Sequence, residues 1–156
     1  MKFIITILVF LGLSANLNLA YAASSGGDSG SNLYKSGKKL VIKAKKLEEK
    51  NKITKAEKLY LKALDKLEKA YDKDKKNADI LNYLGFALRK TGNFEKAEKF
   101  YLKGLEIDAG HLCINEYLGE LYVQTDRIEL AKERLQTLNG CKCEEYEELK
   151  ELIEKN

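Results

Sequence analysis

From residue 33 to the end of the chain, apolar residues recur every three or four positions, the spacing that lines one face of an α-helix. No stretch in this part alternates apolar and polar residues as a half-buried strand would. Breaks in the pattern divide it into seven predicted helices, at about 33–50, 53–74, 78–90, 94–107, 112–124, 128–139 and 144–154. The pattern therefore predicts an all-α protein.

The helices repeat in pairs. KAEKLYLKAL at 55–64 and KAEKFYLKGL at 96–105 share eight of ten residues. Gly85 and Gly119 are 34 positions apart, as are Ala97 and Ala131. The unit is thus helix, turn, helix, repeated every 34 residues, which is typical of a helical repeat protein.

The first repeat is longer than the others, because its copy of the decapeptide lies 41 positions before the next. Seven additional residues make about two helical turns, so the apolar face stays in phase. We expect one long helix from about Ile53 to Asp74. The extra turns could form a protruding functional ledge or could simply lengthen the hairpin.

Small and large residues alternate at fixed positions of each repeat. They are Leu81, Leu84, Gly85, Leu88, Ala97, Tyr101 and Gly104 in the second repeat, and Leu118, Gly119, Tyr122, Ala131, Leu135 and Leu138 in the third. Over residues 37–156 this pattern resembles the tetratricopeptide repeat (TPR). The resemblance implies a TPR-type α-solenoid, with Gly85 and Gly119 where the two helices of one hairpin cross. Its repeats would span about 33–76, 77–110 and 111–143, and residues 144–156 would form a capping helix.

The resemblance also implies a binding groove lined by the first helix of each repeat, where TPR proteins usually bind a protein or a peptide. The groove positions are Val41, Lys45, Asn82, Phe86, Arg89, Lys90, Glu116, Glu120 and Val123. Phe86 is the best candidate for an anchor in a partner, although it could instead pack against the next repeat.

One TPR subgroup clamps the carboxylate tail of chaperones with basic and amide side chains. The corresponding positions in this sequence are Val41, Lys45, Tyr83, Cys113 and Tyr117. Only Lys45 is basic, so we do not expect that ligand.

The N-terminal residues predict a signal peptide at 1–22. Lys2 precedes the apolar run Phe3–Leu13, which is too short to span a bilayer, since spanning takes about 20 residues. Small residues at Ala20 and Ala22 favour cleavage after Ala22. A helix of the mature protein is the alternative. The Gly/Ser-rich residues 23–32 predict a flexible linker, and we expect an exported protein, periplasmic or secreted, without stable membrane insertion.

Charge is unevenly distributed along the chain. Residues 35–76 hold 16 lysines and 7 acidic residues, whereas residues 111–156 hold 6 basic and 11 acidic residues. A basic block could attract nucleic acid or anionic lipid. Because acidic residues are interspersed among the lysines, we interpret the block as a solvated helix surface and expect no nucleic acid partner.

Three cysteines occur, Cys113, Cys141 and Cys143. The second helix of a hairpin returns antiparallel to the first, so Cys141 or Cys143 is expected within disulfide range of Cys113. Pairing of Cys141 with Cys143 is disfavoured by the single intervening residue. Unpaired thiols are a second possibility. A third is a zinc or copper(I) site that also includes His111.

The sequence has one histidine and no phosphate-binding glycine loop or nucleophile motif. We therefore expect no enzymatic activity and no cofactor. The prediction is a non-catalytic TPR module that binds a protein or peptide as a periplasmic scaffold or adaptor. The alternative is a thiol or metal carrier that uses His111, Cys113, Cys141 and Cys143. The sequence leaves the oligomeric state open.

Overall fold

A computed structural model describes residues 29–156 of the chain. It contains seven α-helices: α1 (Gly30–Glu48), α2 (Ile53–Lys73), α3 (Ala78–Lys90), α4 (Phe94–Ile107), α5 (Leu112–Gln124), α6 (Ile128–Leu138) and α7 (Glu144–Glu154). No strand occurs within residues 29–156. The predicted all-α, TPR-like solenoid is confirmed, and most helix bounds lie within two residues of the prediction.

The largest difference in bounds is at the start of α1. The helix begins at Gly30, so the last three residues of the predicted linker are helical. The Ser29 side chain accepts a hydrogen bond from the backbone N–H of Asn32, and this N-cap stabilises an earlier start. Residues 23–28 of the linker and the predicted signal peptide lie outside the described residues.

Consecutive helices form three hairpins, α1–α2, α3–α4 and α5–α6, whose first helices end in the same way. Asn51, Gly92 and Asp126 follow these helices at equivalent repeat positions, and each has a positive φ. The left-handed residue lets the chain reverse within a short turn. Asn and Asp tolerate this conformation better than most residues with a side chain.

Glycines allow close approach of helices, though not always between the helices that the sequence predicted. A Cβ atom on Gly85 would lie 2.5 Å from the Tyr101 ring of α4, as expected for a crossing within one hairpin. A Cβ on Gly119 would instead lie 2.5 Å from the side chain of Leu149 in α7. The prediction for Gly119 was wrong, because the capping helix packs onto this part of α5.

The additional turns of the first repeat are mostly buried. Leu67 and Ala70 of α2 are fully buried, and a Cβ on Gly30 would contact the Lys73 side chain. Both helices of this hairpin are therefore long, and α1 covers the extra length of α2. This arrangement agrees with simple lengthening of the hairpin rather than with a free ledge.

The seventh helix, α7, closes the end of the solenoid. Leu149 is fully buried, and Leu152 and Ile153 pack against the core of the last repeats. The most exposed positions of α7 are glutamates. Among residues 29–156, no helix has the combination of length and apolarity needed to cross a membrane.

Candidate functional site: the first-helix face

The first helices of the three hairpins lie side by side. Tyr34 of α1 and Tyr83 of α3 meet edge to face with centroids 5.9 Å apart, and Phe86 of α3 lies 4.8 Å from Tyr117 of α5. The Lys45 ammonium of α1 reaches across to the Tyr117 hydroxyl at 3.5 Å. We call this continuous surface of α1, α3 and α5 the first-helix face.

The nine predicted groove residues differ widely in exposure. Lys45 is exposed, and Lys90 and Glu120 are half-buried. The other six are buried: Val41, Asn82, Phe86, Arg89, Glu116 and Val123. Most of the predicted residues therefore form the buried floor of the face, and few of them are accessible to a partner.

Phe86 is a packing residue and is not available as an anchor in a partner. Only 2% of its surface is exposed. Its ring contacts Tyr117 on one side and Tyr60 at 6.0 Å on another. The Lys45 ammonium and the Arg89 guanidinium lie over the ring, each 5.4 Å from its centroid. Of the two interpretations of Phe86, packing against neighbouring helices agrees with the structure.

Arg89 forms a buried link between α3 and α5. Its Nη2 lies 2.5 Å from a carboxylate oxygen of Glu120, and its Nη1 donates to the Gln124 side chain at 3.2 Å. A guanidinium buried in this way is costly to leave unpaired. We therefore assign Arg89 to joining the second and third repeats, a role that its groove position alone did not indicate.

Two buried acceptors on the first-helix face lack a donor. Asn82 and Glu116 occupy equivalent positions, 34 residues apart, on α3 and α5. Asn82 is 3% exposed and Glu116 is 2% exposed. Within residues 29–156, neither Asn82 Oδ1 nor Glu116 Oε1 has a hydrogen-bond partner. A buried acceptor without a donor costs about 1–3 kcal/mol, so a bound group that donates there would gain stability.

A pocket of about 150 Å³ lies where α1, α5 and α7 meet. Acidic side chains dominate its lining, and we call it the acidic pocket: Lys45, Glu116, Tyr117, Glu144, Glu145 and Glu148. Sequence reasoning missed the three glutamates of α7. The sequence predicted only a capping helix here, and nothing local indicates that α7 turns these glutamates towards α5.

Burial raises the pKa of Glu116 to about 10, and a hydrogen bond with Glu148 adds to the effect. The negative charges of Glu120, Glu148 and Glu145 act in the same direction. The acid is therefore protonated at neutral pH. Carboxylate oxygens of Glu116, Glu120 and Glu148 lie within 4.8 Å of one another, and one shared proton relieves part of their repulsion.

The cysteines pair differently from the prediction. Cys141 and Cys143 form a disulfide with Cα atoms 5.2 Å apart, and Cys113 is free. The Cys113 thiol lies 3.5 Å from the carboxylate of Glu145 and donates a hydrogen bond to it. The first turn of α7 thus occupies the side of α5 where a bridge to Cys113 was expected. The prediction was wrong because it treated the chain after α6 as a simple continuation of the hairpin.

The four ligands of the alternative metal site are not available together. Cys141 and Cys143 are bonded to each other. The His111 imidazole caps α5, since its Nδ1 accepts the backbone N–H of Ile114 at 3.3 Å, and its Nε2 lies 3.5 Å from Asp79. Burial raises the pKa of the Cys113 thiol to about 11, with Glu145 adding to the shift, so this thiol is a poor metal ligand and nucleophile.

Comparison with known proteins agrees with the fold. A family model described as tetratricopeptide repeat matches residues 47–109. The sequence has no match among curated proteins.

Solved TPR structures superpose at low identity. The second TPR domain of human RPAP3, in complex with an HSP70 peptide, has a TM-score of 0.59 at 16% identity, covering 82% of this chain and 100% of that one. A TPR protein from Parabacteroides merdae has a TM-score of 0.56 at 19% identity, over 78% and 60% of the two chains. The translocator chaperone SycD of Yersinia enterocolitica has a TM-score of 0.55 at 16% identity, over 82% and 92%. Residues 47–109 thus match the tetratricopeptide-repeat family model, and the described part of the chain has the fold of TPR domains.

Proposed function

We propose that the protein binds a peptide or protein segment along the first-helix face and acts as a non-catalytic adaptor. The observation that carries the proposal is the pair of unpartnered acceptors on this face, Asn82 Oδ1 and Glu116 Oε1, at equivalent positions of consecutive repeats. An extended segment crossing both repeats could donate N–H groups to each. Hydrogen bonds of this kind contribute to affinity mainly because the free protein leaves the acceptors unpaired.

Lys45 covers part of the floor of the face and can move. Its ammonium lies 5.4 Å from the Phe86 centroid and 5.7 Å from the Tyr117 centroid, yet the side chain as a whole is exposed. A long exposed lysine changes rotamer on the picosecond to nanosecond timescale. A bound segment can therefore displace Lys45 without disturbing the helices beneath it.

The similar structures support binding as the activity of the face. The human RPAP3 domain was solved in complex with the HSP70 peptide SGPTIEEVD. The ligand of the present protein should differ, because the positions of the chaperone-tail clamp hold Val41, Tyr83, Cys113 and Tyr117 beside the single basic Lys45. An acidic tail would also approach the carboxylates of the acidic pocket, which is unfavourable.

The test uses protein produced from the full-length sequence and a displayed library of random linear peptides. We expect selected peptides to bind, and the substitution Asn82→Ala to weaken binding about 5- to 10-fold through loss of one hydrogen-bonding group. Asn32→Ala is the matched control, since it removes the same amide from an exposed position of α1. Isothermal titration measures the affinities. Failure to select any peptide, or equal weakening by both substitutions, would contradict binding on this face.

We propose in addition that the protein is exported to the periplasm after removal of residues 1–22. The support is the short apolar run before Ala22 and the pairing of Cys141 with Cys143, which suits an oxidising compartment. The intact mass of the exported protein should correspond to a chain that begins at Ala23 and is two hydrogen atoms lighter than the reduced form. After unfolding without reductant, one thiol per chain, that of Cys113, should react with iodoacetamide. A chain that retains Met1, or three reactive thiols, would be inconsistent with export and pairing.

A further inference from the structure

The α7 glutamates of the acidic pocket are not neutralised by ion pairs. No ion pair found among residues 29–156 involves Glu144, Glu145 or Glu148. Arg89 compensates only the neighbouring Glu120, on the α3 side. The α7 side of the pocket is therefore a concentration of unmatched negative charge next to the first-helix face.

Glu116 indicates a ligand more specifically than the surrounding acidic residues do. Its side chain is 2% exposed, and its Oε1 has no partner within the described residues. This carboxyl lies within 4.8 Å of the carboxylate oxygens of Glu148 and Glu120. A positively charged donor between Glu116 and Glu148 would donate a hydrogen bond to the unpartnered Glu116 oxygen. It would also offset the repulsion between the carboxylates.

The protein already places an organic cation beside this pocket. Lys45 lines it, and the Lys45 ammonium lies over the rings of Phe86 and Tyr117 at 5.4 and 5.7 Å. Aromatic faces attract ammonium and guanidinium groups at these distances. The rim of the pocket is thus suited to the alkyl stem and charged head of a basic side chain.

A bare metal ion suits the site less well. Hard divalent ions such as Ca²⁺ take about six to eight oxygen ligands, whereas three carboxylates converge here. The aromatic rim supplies no further ligand oxygen except the Tyr117 hydroxyl, which the Lys45 ammonium contacts. The volume of about 150 Å³ accommodates an ammonium or guanidinium group with its last methylenes.

We propose that the acidic pocket receives a lysine or arginine side chain of the bound segment, which pairs with Glu116 and Glu148 and displaces Lys45. This inference rests on the proposed function, and it specifies the partner as a segment with a basic residue. The residue would enter at the α5–α7 end of the first-helix face.

The experiment is a double-mutant cycle on a peptide selected by the full-length protein. The basic residue of the peptide is replaced by norleucine, which keeps the alkyl stem and removes the charge. In the protein, Glu116→Gln keeps the shape and hydrogen bonding of the protonated acid but prevents ionisation. Glu147→Gln is the control, because Glu147 is exposed on α7 and does not line the pocket.

We expect selected peptides to share a lysine or arginine at one position. The norleucine peptide should bind the unsubstituted protein about tenfold more weakly. Glu116→Gln should weaken binding of the basic peptide about tenfold and leave the norleucine peptide nearly unaffected, because the two changes remove the same contact. Glu147→Gln should change either affinity less than about twofold.

Three results would overturn the inference. The first is selection of peptides that share no basic residue. The second is an equal effect of Glu116→Gln on both peptides. The third is a thermal stabilisation by CaCl₂ alone that Glu116→Gln abolishes, which would make the pocket an ion site. All three leave peptide binding itself intact, whereas failure of the proposed function appears separately, as no selected peptide or as no specific effect of Asn82→Ala.

Discussion

Replacing Gly85 by leucine is expected to lower the free energy of unfolding by about 3 kcal/mol, at the upper end of the range for overpacking. The added Cβ would lie 2.5 to 2.9 Å from three ring atoms of Tyr101. Tyr101 is fully buried, so its ring cannot move into solvent. Helices α3 and α4 would have to separate, which would also disturb the neighbouring repeats. Urea denaturation followed by circular dichroism measures the change.

Gly110→Ala provides the control for this prediction. The nearest atom to a Cβ at Gly110 is an Asp108 side-chain oxygen at 3.7 Å, which is an ordinary contact. We expect the free energy of unfolding to change by less than about 0.5 kcal/mol. An unchanged unfolding midpoint in Gly85→Leu would show that the close approach of α3 and α4 does not depend on the missing side chain.

The free energy of unfolding is expected to fall by about 3 kcal/mol between about pH 6 and pH 8 because of Glu116. Folding raises the pKa of this acid from 4.5 to about 10. The folded state therefore holds a proton that the unfolded state has released. The stabilisation is fully present below pH 4.5 and is lost as the pH rises towards 10.

Glu116→Gln should remove most of this pH dependence, since an amide does not titrate. The groups that face Glu116 come from three helices, and they are Lys45 of α1, Tyr117 and Glu120 of α5, and Glu145 and Glu148 of α7. Glu147→Gln leaves this set of groups unchanged, so this variant should keep the pH dependence of the free energy of unfolding. Urea unfolding midpoints at pH 6, 7 and 8 test this prediction. The same pH dependence of stability in the Glu116→Gln variant would assign that dependence to other groups.

Both predictions concern contacts between elements that are distant in sequence. Gly85 and Tyr101 are related by the repeat pattern, so their contact could be anticipated. Glu116 and Glu148 are brought together only by the packing of α7 on α5. A proton held at Glu116 in the free protein also has a functional consequence, because pairing with a basic side chain should release it.

The sequence alone determined the seven helices, the 34-residue period and the positions that line the first-helix face. These features depend on local periodicity, which places residues such as Asn82 and Phe86 on one side of a helix regardless of what packs there. The helix crossing at Gly85 could likewise be predicted from the sequence, because a close crossing leaves no room for a side chain. Breaks in the apolar pattern gave most helix bounds within two residues.

Only the tertiary structure decided which of these positions are accessible and what they contact. Phe86 and Arg89 are buried because side chains from α1 and α5 cover them. Cys113 meets Glu145 rather than a second cysteine, and Gly119 meets Leu149, because α7 folds back onto α5. The turn after α6 sets the direction of α7, and helical periodicity contains no information about that direction. The acidic pocket therefore exists only in the folded chain, where two helices from different parts of the sequence place their glutamates on opposite walls of one cavity.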